Sequence, residues 1–255
     1  MPAHRLFRLI ATVSLLLVAP TGFSETVLVA VASNFTKPMT EIAEVFAKET
    51  GHTAKLSFGS SGKIVSQLEN GAPFEMFLSA DDEKPLKLEQ AGLTVPGSRF
   101  TYALGSLVLW SAKPGYVDDQ GQILSKGGFS HLALADPKLA PYGAAAIQVL
   151  KNMGLQDKLQ PLLVQGENIS QTHQFVSTGN AELGFVALSQ VITDAKISEG
   201  SGWVVPAAMH TPIRQDAVLM KTGAENPAAS ALLAFLKAVP AKAIIEKYGY
   251  GLPKQ

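Results

Sequence analysis

The sequence contains no cysteine, and its charges of opposite sign cancel. Without cysteine the protein has no disulfides, thiolate metal sites, iron–sulfur clusters, thiol nucleophile or lipid-modified cysteine anchor. The 21 basic and 21 acidic residues leave no excess of positive charge, which argues against nucleic acid as a partner. An anionic ligand remains possible, because backbone amides at helix starts bind anions without formal charge.

Long apolar runs are also missing, apart from a short one near the start. Two arginines precede an apolar run of about 11 residues, Leu9 to Ala19, and small residues follow it. A helix that spans a bilayer needs about 20 apolar residues. The pattern therefore predicts a secretory signal over residues 1–24, cleaved before Glu25. The mature chain would then carry a net charge of about −2, and we expect it in the periplasm, not embedded in a membrane.

Short apolar segments alternate with helical patterns along the remaining chain. The run Val27–Ala32 suits a strand that is buried on both faces. After it, Met39, Ile42, Ala43 and Phe46 stand at the spacing of one helical face. Because similar pairs recur towards the end of the chain, the sequence predicts an α/β fold with parallel strands.

Two segments are expected to divide this alternation into two lobes. The apolar stretch Phe100–Ser111 is predicted to be one strand that crosses between the lobes, with a return near residues 203–215. Each lobe would be a mostly parallel sheet flanked by helices, and the two crossings would form the hinge. We predict a first lobe from residues 25–104 and 207–255 and a second lobe from residues 105–206.

Three turns after predicted strands carry small polar residues without charge: Ser33-Asn34, Ser60-Ser61-Gly62 and Pro141-Tyr142-Gly143. Ligands of open α/β folds bind beyond the carboxyl ends of the strands, where the first amides of the next helix lack partners. Such turns favour an oxyanion that carries no proton, because it needs only hydrogen-bond donors from the protein. The absence of a carboxylate favours molybdate, tungstate or sulfate over a protonated phosphate. Each turn alone is equally typical of ordinary helix capping.

Motifs of catalysis are absent from the sequence. It contains neither the G-x-S-x-G elbow of serine hydrolases nor an H-E-x-x-H metal motif, and Gly59–Lys63 lacks the spacing of a phosphate-binding loop. We therefore expect no cofactor and no enzyme activity. The effector domain of a transcription regulator is a further alternative, but the signal segment and the lack of a DNA-binding region argue against it.

Four stretches resemble the periplasmic molybdate-binding proteins of ABC transporters: Val31–Phe35, Ser57–Lys63, Gly71–Asp81 and Gly179–Val186. The third stretch, GAPFEMFLSAD, is the most specific of them. In it, Glu75-Met76 stands where the family commonly has Asp-Leu or Asp-Val. The resemblance extends over nearly the whole mature chain.

The resemblance implies a type II periplasmic binding protein that closes on molybdate, and also on tungstate, and serves an inner-membrane ABC permease. Molybdenum would be present only within the bound anion, and the protein would act as a monomer. The family holds its anion with neutral donors, which correspond here to Ser33, Asn34, Ser61, Tyr142 and the backbone amide of Ile169. The alternative is another tetrahedral oxyanion, such as sulfate or phosphate, or a small organic acid on the same fold.

One position departs from the family pattern. Many members have a tyrosine after the strand that matches Leu183–Val186, and its hydroxyl binds the anion. This sequence has Ala187 there. Other members carry their tyrosine at the position of Tyr142, so Tyr142 is expected to supply the phenol. The identity of the fifth anion contact stays open.

Overall fold

The computed structural model describes residues 24–254, which form two five-stranded sheets with helices packed around them. The predicted signal segment lies outside the described residues except for Ser24. The strands are β1 (Thr26–Ala32), β2 (Thr53–Gly59), β3 (Met76–Leu78), β4 (Phe100–Gly105), β5 (Leu107–Ser111), β6 (Leu132–Ala135), β7 (Leu163–Gly166), β8 (Leu183–Ala187), β9 (Ile192–Thr193), β10 (Lys196–Ile197), β11 (Ser201–Val204) and β12 (Ile213–Leu219).

The helices lie between these strands and after the last one. They are α1 (Thr36–Thr50), α2 (Ser61–Glu69), α3 (Glu83–Gln90), α4 (Ile123–Lys126), α5 (Pro141–Asn152), α6 (Gln156–Leu159), α7 (Ile169–Ser177), α8 (Leu188–Val191), α9 (Pro227–Phe235) and α10 (Val239–Lys247). A 3₁₀ turn, Ser33–Phe35, joins β1 to α1 directly, so this helical segment begins at Ser33.

Both sheets follow the same plan. The strand order is β2-β1-β3-β12-β4 in the first sheet and β7-β6-β8-β5-β11 in the second. Four strands of each sheet run parallel, and the fourth in each order, β12 or β5, runs against them. These two reversed strands are the ones that the chain enters when it passes from one sheet to the other. The prediction of two mostly parallel sheets flanked by helices is confirmed.

The prediction of one crossing strand over Phe100–Ser111 is wrong. The stretch forms two strands, because β4 pairs with β12 in the first sheet while β5 pairs with β8 and β11 in the second. The change of partner occurs at Ser106, whose carbonyl accepts from the backbone N–H of Leu188. Strand β5 is fully buried and no residue of β4 is exposed, so the apolar run continues through the break and the sequence does not reveal it.

Each sheet carries an apolar core on both of its faces, and the first core lies on the face of the first sheet that holds Val27, Val29 and Val31. The predicted face of α1 enters the first core, where Met39, Ile42 and Phe46 are fully buried. Burying one such side chain stabilises the fold by about 1.5–3 kcal/mol. Phe35, just after β1, packs edge-on against two tyrosine rings of this core. This packing fixes the end of β1, from which the candidate site begins.

Within residues 24–254, no single helix combines the length and the apolar character that crossing a bilayer requires. The helices α9 and α10 meet that requirement only when they are taken together, and they are bent by 60° where they join.

Candidate functional site

Four helical segments begin at one small cavity between the two sheets. Two of them, the segment from Ser33 and helix α2, follow strands β1 and β2 of the first sheet. The other two, α5 and α7, follow strands β6 and β7 of the second sheet. The first residues of all four line the cavity. Because strands β6 and β7 are parallel, as are β1 and β2, their carboxyl ends bring these helix starts together.

All five predicted contact residues line this cavity, although their contact with an anion remains a prediction. The space open to the centre of a water-sized sphere is about 10 Å³, so the two sides lie nearly in contact. None of the lining residues is acidic or basic. They are Ala32, Ser33, Asn34, Gly59, Ser60, Ser61, Ala80, Ala140, Pro141, Tyr142 and Ile169.

The backbone supplies donors from all four helix starts. The N–H groups of Asn34, Ser61, Tyr142 and Ile169 make no hydrogen bond to another residue within 24–254. Each belongs to a first helical turn, where amides have no partner in their own helix. The helix dipoles add partial positive charge at the same ends. The cavity is therefore electropositive without a charged side chain, which suits an anion.

Two serine hydroxyls of the α2 turn lie beside these amides. The Ser61 Oγ accepts a hydrogen bond from the backbone N–H of Ala80 at 3.0 Å, which leaves its own proton free to donate. The neighbouring Ser60 Oγ is buried and has no hydrogen-bond partner. The turn and the Ser61 contact were predicted from the sequence, whereas no role was predicted for the Ser60 hydroxyl.

The Tyr142 hydroxyl is oriented by a buried network. It accepts from the Gln215 Nε2 at 3.1 Å. The Gln215 Oε1 in turn accepts from the Asn34 Nδ2 at 2.8 Å and from the Tyr102 hydroxyl at 3.0 Å. Because the glutamine amide presents a donor to Tyr142, the phenolic proton is not needed for that hydrogen bond.

The side-chain amide of Asn34 donates its hydrogen bonds to other protein groups. Its Nδ2 donates to Gln215 and also to the hydroxyl of Tyr250 at 2.9 Å. Only the backbone N–H of Asn34 is thus left for a ligand. Gln215 and Tyr250 were not predicted from the sequence, since they lie 181 and 216 residues from Asn34. The signal in the sequence was weak, since Gln215 stands between Arg214 and Asp216 in strand β12 and does not differ from them in polarity.

Ala187, the position where many relatives carry a tyrosine, ends β8 and is fully buried. It is not among the residues that line the cavity. Its backbone N–H donates to the Gln190 side chain at 3.0 Å. The structure therefore offers one phenol at the cavity, that of Tyr142.

Direct contacts join the two lobes around the cavity. The Gly62 N–H donates to the Leu139 carbonyl at 2.9 Å, and the Ser189 hydroxyl donates to the Asn34 carbonyl at 2.8 Å. An exposed ion pair between Lys63 and Glu167 crosses the same gap at 2.7 Å. Because exposed ion pairs contribute little, the backbone contacts are the stronger restraint on closure.

The described part of the chain holds no group of three or more histidine, aspartate or glutamate residues that could bind a metal ion. The free donors at the cavity are backbone amides and hydroxyls. The backbone amides bind the oxygen atoms of an anion and cannot coordinate a cation, because an amide N–H offers no lone pair.

We expect the affinity of this cavity for an anion to change by less than about threefold between pH 6 and pH 9. Burial raises the pKa of Tyr142 well above its ordinary value, raises that of Tyr102 as well, and raises the pKa of Tyr250 to about 12. A raised pKa keeps each phenol protonated, so Tyr142 remains a donor until strongly alkaline pH. Titrations across this range would test the expectation, and a loss of affinity centred below pH 9 would contradict it.

Known proteins resemble the chain over its whole described length. Residues 27–251 match the family of bacterial extracellular solute-binding proteins. The molybdate-binding protein ModA of Azotobacter vinelandii is 58% identical over 247 residues, covering 97% of this chain and 98% of that protein. ModA of Rhodobacter capsulatus is 55% identical over 224 residues, covering 88% and 87%. The structure of an Azotobacter vinelandii periplasmic molybdate-binding protein superposes with a TM-score of 0.87 at 47% identity, covering 89% of this chain and all of that one.

Proposed function

Because the chain belongs to the family of bacterial extracellular solute-binding proteins, we propose that it captures molybdate in the periplasm and delivers it to an ABC permease of the inner membrane. The family is one of transport proteins, and relatives at 58% and 55% identity are molybdate-binding proteins. The chemistry of the cavity supports the same ligand independently of these relatives.

The observation that best supports molybdate as the ligand is that the cavity presents only neutral hydrogen-bond donors. Four backbone amides, the hydroxyls of Ser33, Ser60 and Ser61, and one phenol are available there, and no acidic or basic residue within 24–254 lines the cavity. A fully deprotonated oxyanion can accept from all of them. A phosphate that still carries a proton would need an acceptor, and the lining carboxylate that could provide one is missing. This favours molybdate, tungstate or sulfate.

Size favours the larger of these anions. A sulfate is smaller than a molybdate, so it would leave some of the buried donors too distant to bond. Each buried donor without a partner costs about 1–3 kcal/mol. Tungstate has the same charge and nearly the same size as molybdate, so we expect it to bind with similar affinity.

The remaining parts of the proposal follow from the same site. The free donors can hold an anion but offer no nucleophile–base pair, so we propose a carrier without enzyme activity and without a cofactor. The cavity is completed by the two lobes of one chain, so the proposed active form is a monomer. Permease recognition would then depend on the closed arrangement of the lobes.

Titration calorimetry of residues 25–255 with molybdate, tungstate, sulfate and phosphate tests this proposal. We expect tight one-to-one binding of molybdate and tungstate, and affinities for sulfate and phosphate at least about 30-fold weaker, as two or more unpaired donors imply. A preference for sulfate or phosphate would leave the fold in place but overturn the ligand.

A further inference from the structure

Ser60 carries an unpaired hydroxyl in a buried position. Its side chain is 3% exposed, and its Oγ has no hydrogen-bond partner. Within residues 24–254, only one other buried side-chain polar atom is in this condition, the Thr94 Oγ1. Buried polar groups are normally bonded, so an exception needs a physical reason.

Helix capping does not provide that reason. Ser60 is the N-cap residue of α2, with an extended backbone at φ −72° and ψ 144°. A serine in this position usually accepts from an amide of the first helical turn. Here the side chain makes no capping hydrogen bond, although the backbone carbonyl of Ser60 accepts from the N–H of Ile64 at 3.1 Å. The hydroxyl is therefore not used by the helix that it precedes.

The location of Ser60 provides a better explanation. Ser60 lines the same cavity as the free amide of Ser61 and the phenol of Tyr142. The two serines differ in their protein contacts, because the Ser61 Oγ is held by the N–H of Ala80 while the Ser60 Oγ is held by nothing. Within residues 24–254 no group bonds the Ser60 hydroxyl, and a ligand in the cavity that Ser60 lines would supply the missing partner.

We propose that the Ser60 hydroxyl donates a hydrogen bond to the captured oxyanion and is a determinant of which anion is chosen. This inference rests on the proposed function and adds a contact to the five predicted ones. A donor bound to nothing else is satisfied only when an oxygen of the anion reaches it. A large tetrahedral anion meets this condition and a smaller one leaves the hydroxyl unpaired. Ser60 thus favours molybdate over sulfate.

The Ser60→Ala variant tests the contact. We expect its affinity for molybdate to fall about 10- to 100-fold, the usual loss for one hydrogen bond to a charged group. Its affinity for sulfate should fall less, so that the preference for molybdate shrinks. The thermal midpoint of the anion-free variant should stay equal to that of the wild type or rise, because an unpaired buried hydroxyl has been removed.

Thr94→Val is the matched control, because it removes the other unpaired hydroxyl of the described chain. It should leave the affinity for molybdate unchanged. Ser60→Gly is a second variant that also removes the hydroxyl, and glycine is well tolerated at an N-cap. It keeps the test decisive if the alanine variant folds poorly.

The outcomes separate the two proposals. If the wild type binds molybdate tightly and both Ser60 variants bind it equally well, the inference about Ser60 is wrong and the proposed function stands. If the wild type prefers sulfate or phosphate, the proposed ligand is wrong, and the same variants titrated with the preferred anion decide whether Ser60 is a contact. A wild type that binds none of the four anions overturns both.

Discussion

Gly105→Ala should lower the affinity for molybdate by about 100-fold or more, because it disturbs both the phenolic contact and the network that orients it. A methyl group at position 105 would lie 2.2 Å from the Tyr142 hydroxyl and 2.6 Å from the Gln215 Nε2. Tyr142 is 1% exposed and Gln215 is fully buried. Neither side chain can move aside without losing hydrogen bonds, so the phenol must leave its place beside the cavity. Titration calorimetry measures the loss.

Gly251→Ala is the matched control for that variant. Gly251 forms an isolated β-bridge with Leu104, the residue next to Gly105. A methyl group at position 251 would meet the Leu104 Cβ at 3.4 Å, an ordinary van der Waals contact. We expect its affinity to stay within about threefold of the wild type, since no donor is displaced. Wild-type affinity in Gly105→Ala would show that the Tyr142 hydroxyl is not held where the anion binds.

Gly143→Ala should reduce the free energy of unfolding by about 3 kcal/mol or more, at the upper end of overpacking effects. A methyl group at position 143 would lie 2.0 Å from the carbonyl oxygen of Ala135 and 2.7 Å from its carbonyl carbon. These are backbone atoms at the end of β6, so no side-chain rotation relieves the clash. Helix α5 would have to move away from the sheet, which would open the core around Val149 and Leu150. Chemical denaturation followed by circular dichroism measures the effect.

Gly59→Ala provides the comparison, since Gly59 also stands at the end of a strand beside the cavity. A methyl group there would meet only the Ile64 side chain, at 3.6 Å. We expect a change in stability of less than about 1 kcal/mol. If Gly143→Ala unfolded at the same denaturant concentration as Gly59→Ala, the close contact of α5 with β6 would not be a constraint on the fold.

The sequence predicted the elements whose determinants are local. The helical spacing of Met39, Ile42 and Phe46 defines α1, and Gly51 ends it with a left-handed backbone at φ 76°. The continuous apolar run of β1 indicated a strand buried on both faces, and Val29 and Ala30, which pack into cores on opposite faces of the sheet, are fully buried. Where one strand is followed by one helix, the pattern also located the turns that line the cavity.

The parts that were missed depend on contacts between distant segments. Gln215 meets Asn34, Tyr102 and Tyr142 only after the two sheets have formed, and no spacing in the sequence encodes those meetings. The break at Ser106 is likewise a change of pairing partner within an apolar run. The difference between the bonded Ser61 Oγ and the unpaired Ser60 Oγ depends on a single amide, that of Ala80, which lies 19 residues beyond Ser61.

The unpaired donors around the cavity have a consequence for the transport cycle. Were the lobes to close without an anion, the amides of Asn34, Ser61, Tyr142 and Ile169 would be sealed away from water with no partner. Each unpaired amide would cost about 1–3 kcal/mol, so the anion-free protein should mainly populate an open arrangement of the two lobes. The arrangement of the lobes then indicates whether an anion is bound. A permease that accepts only the closed form would not bind the anion-free protein and would not hydrolyse ATP for it.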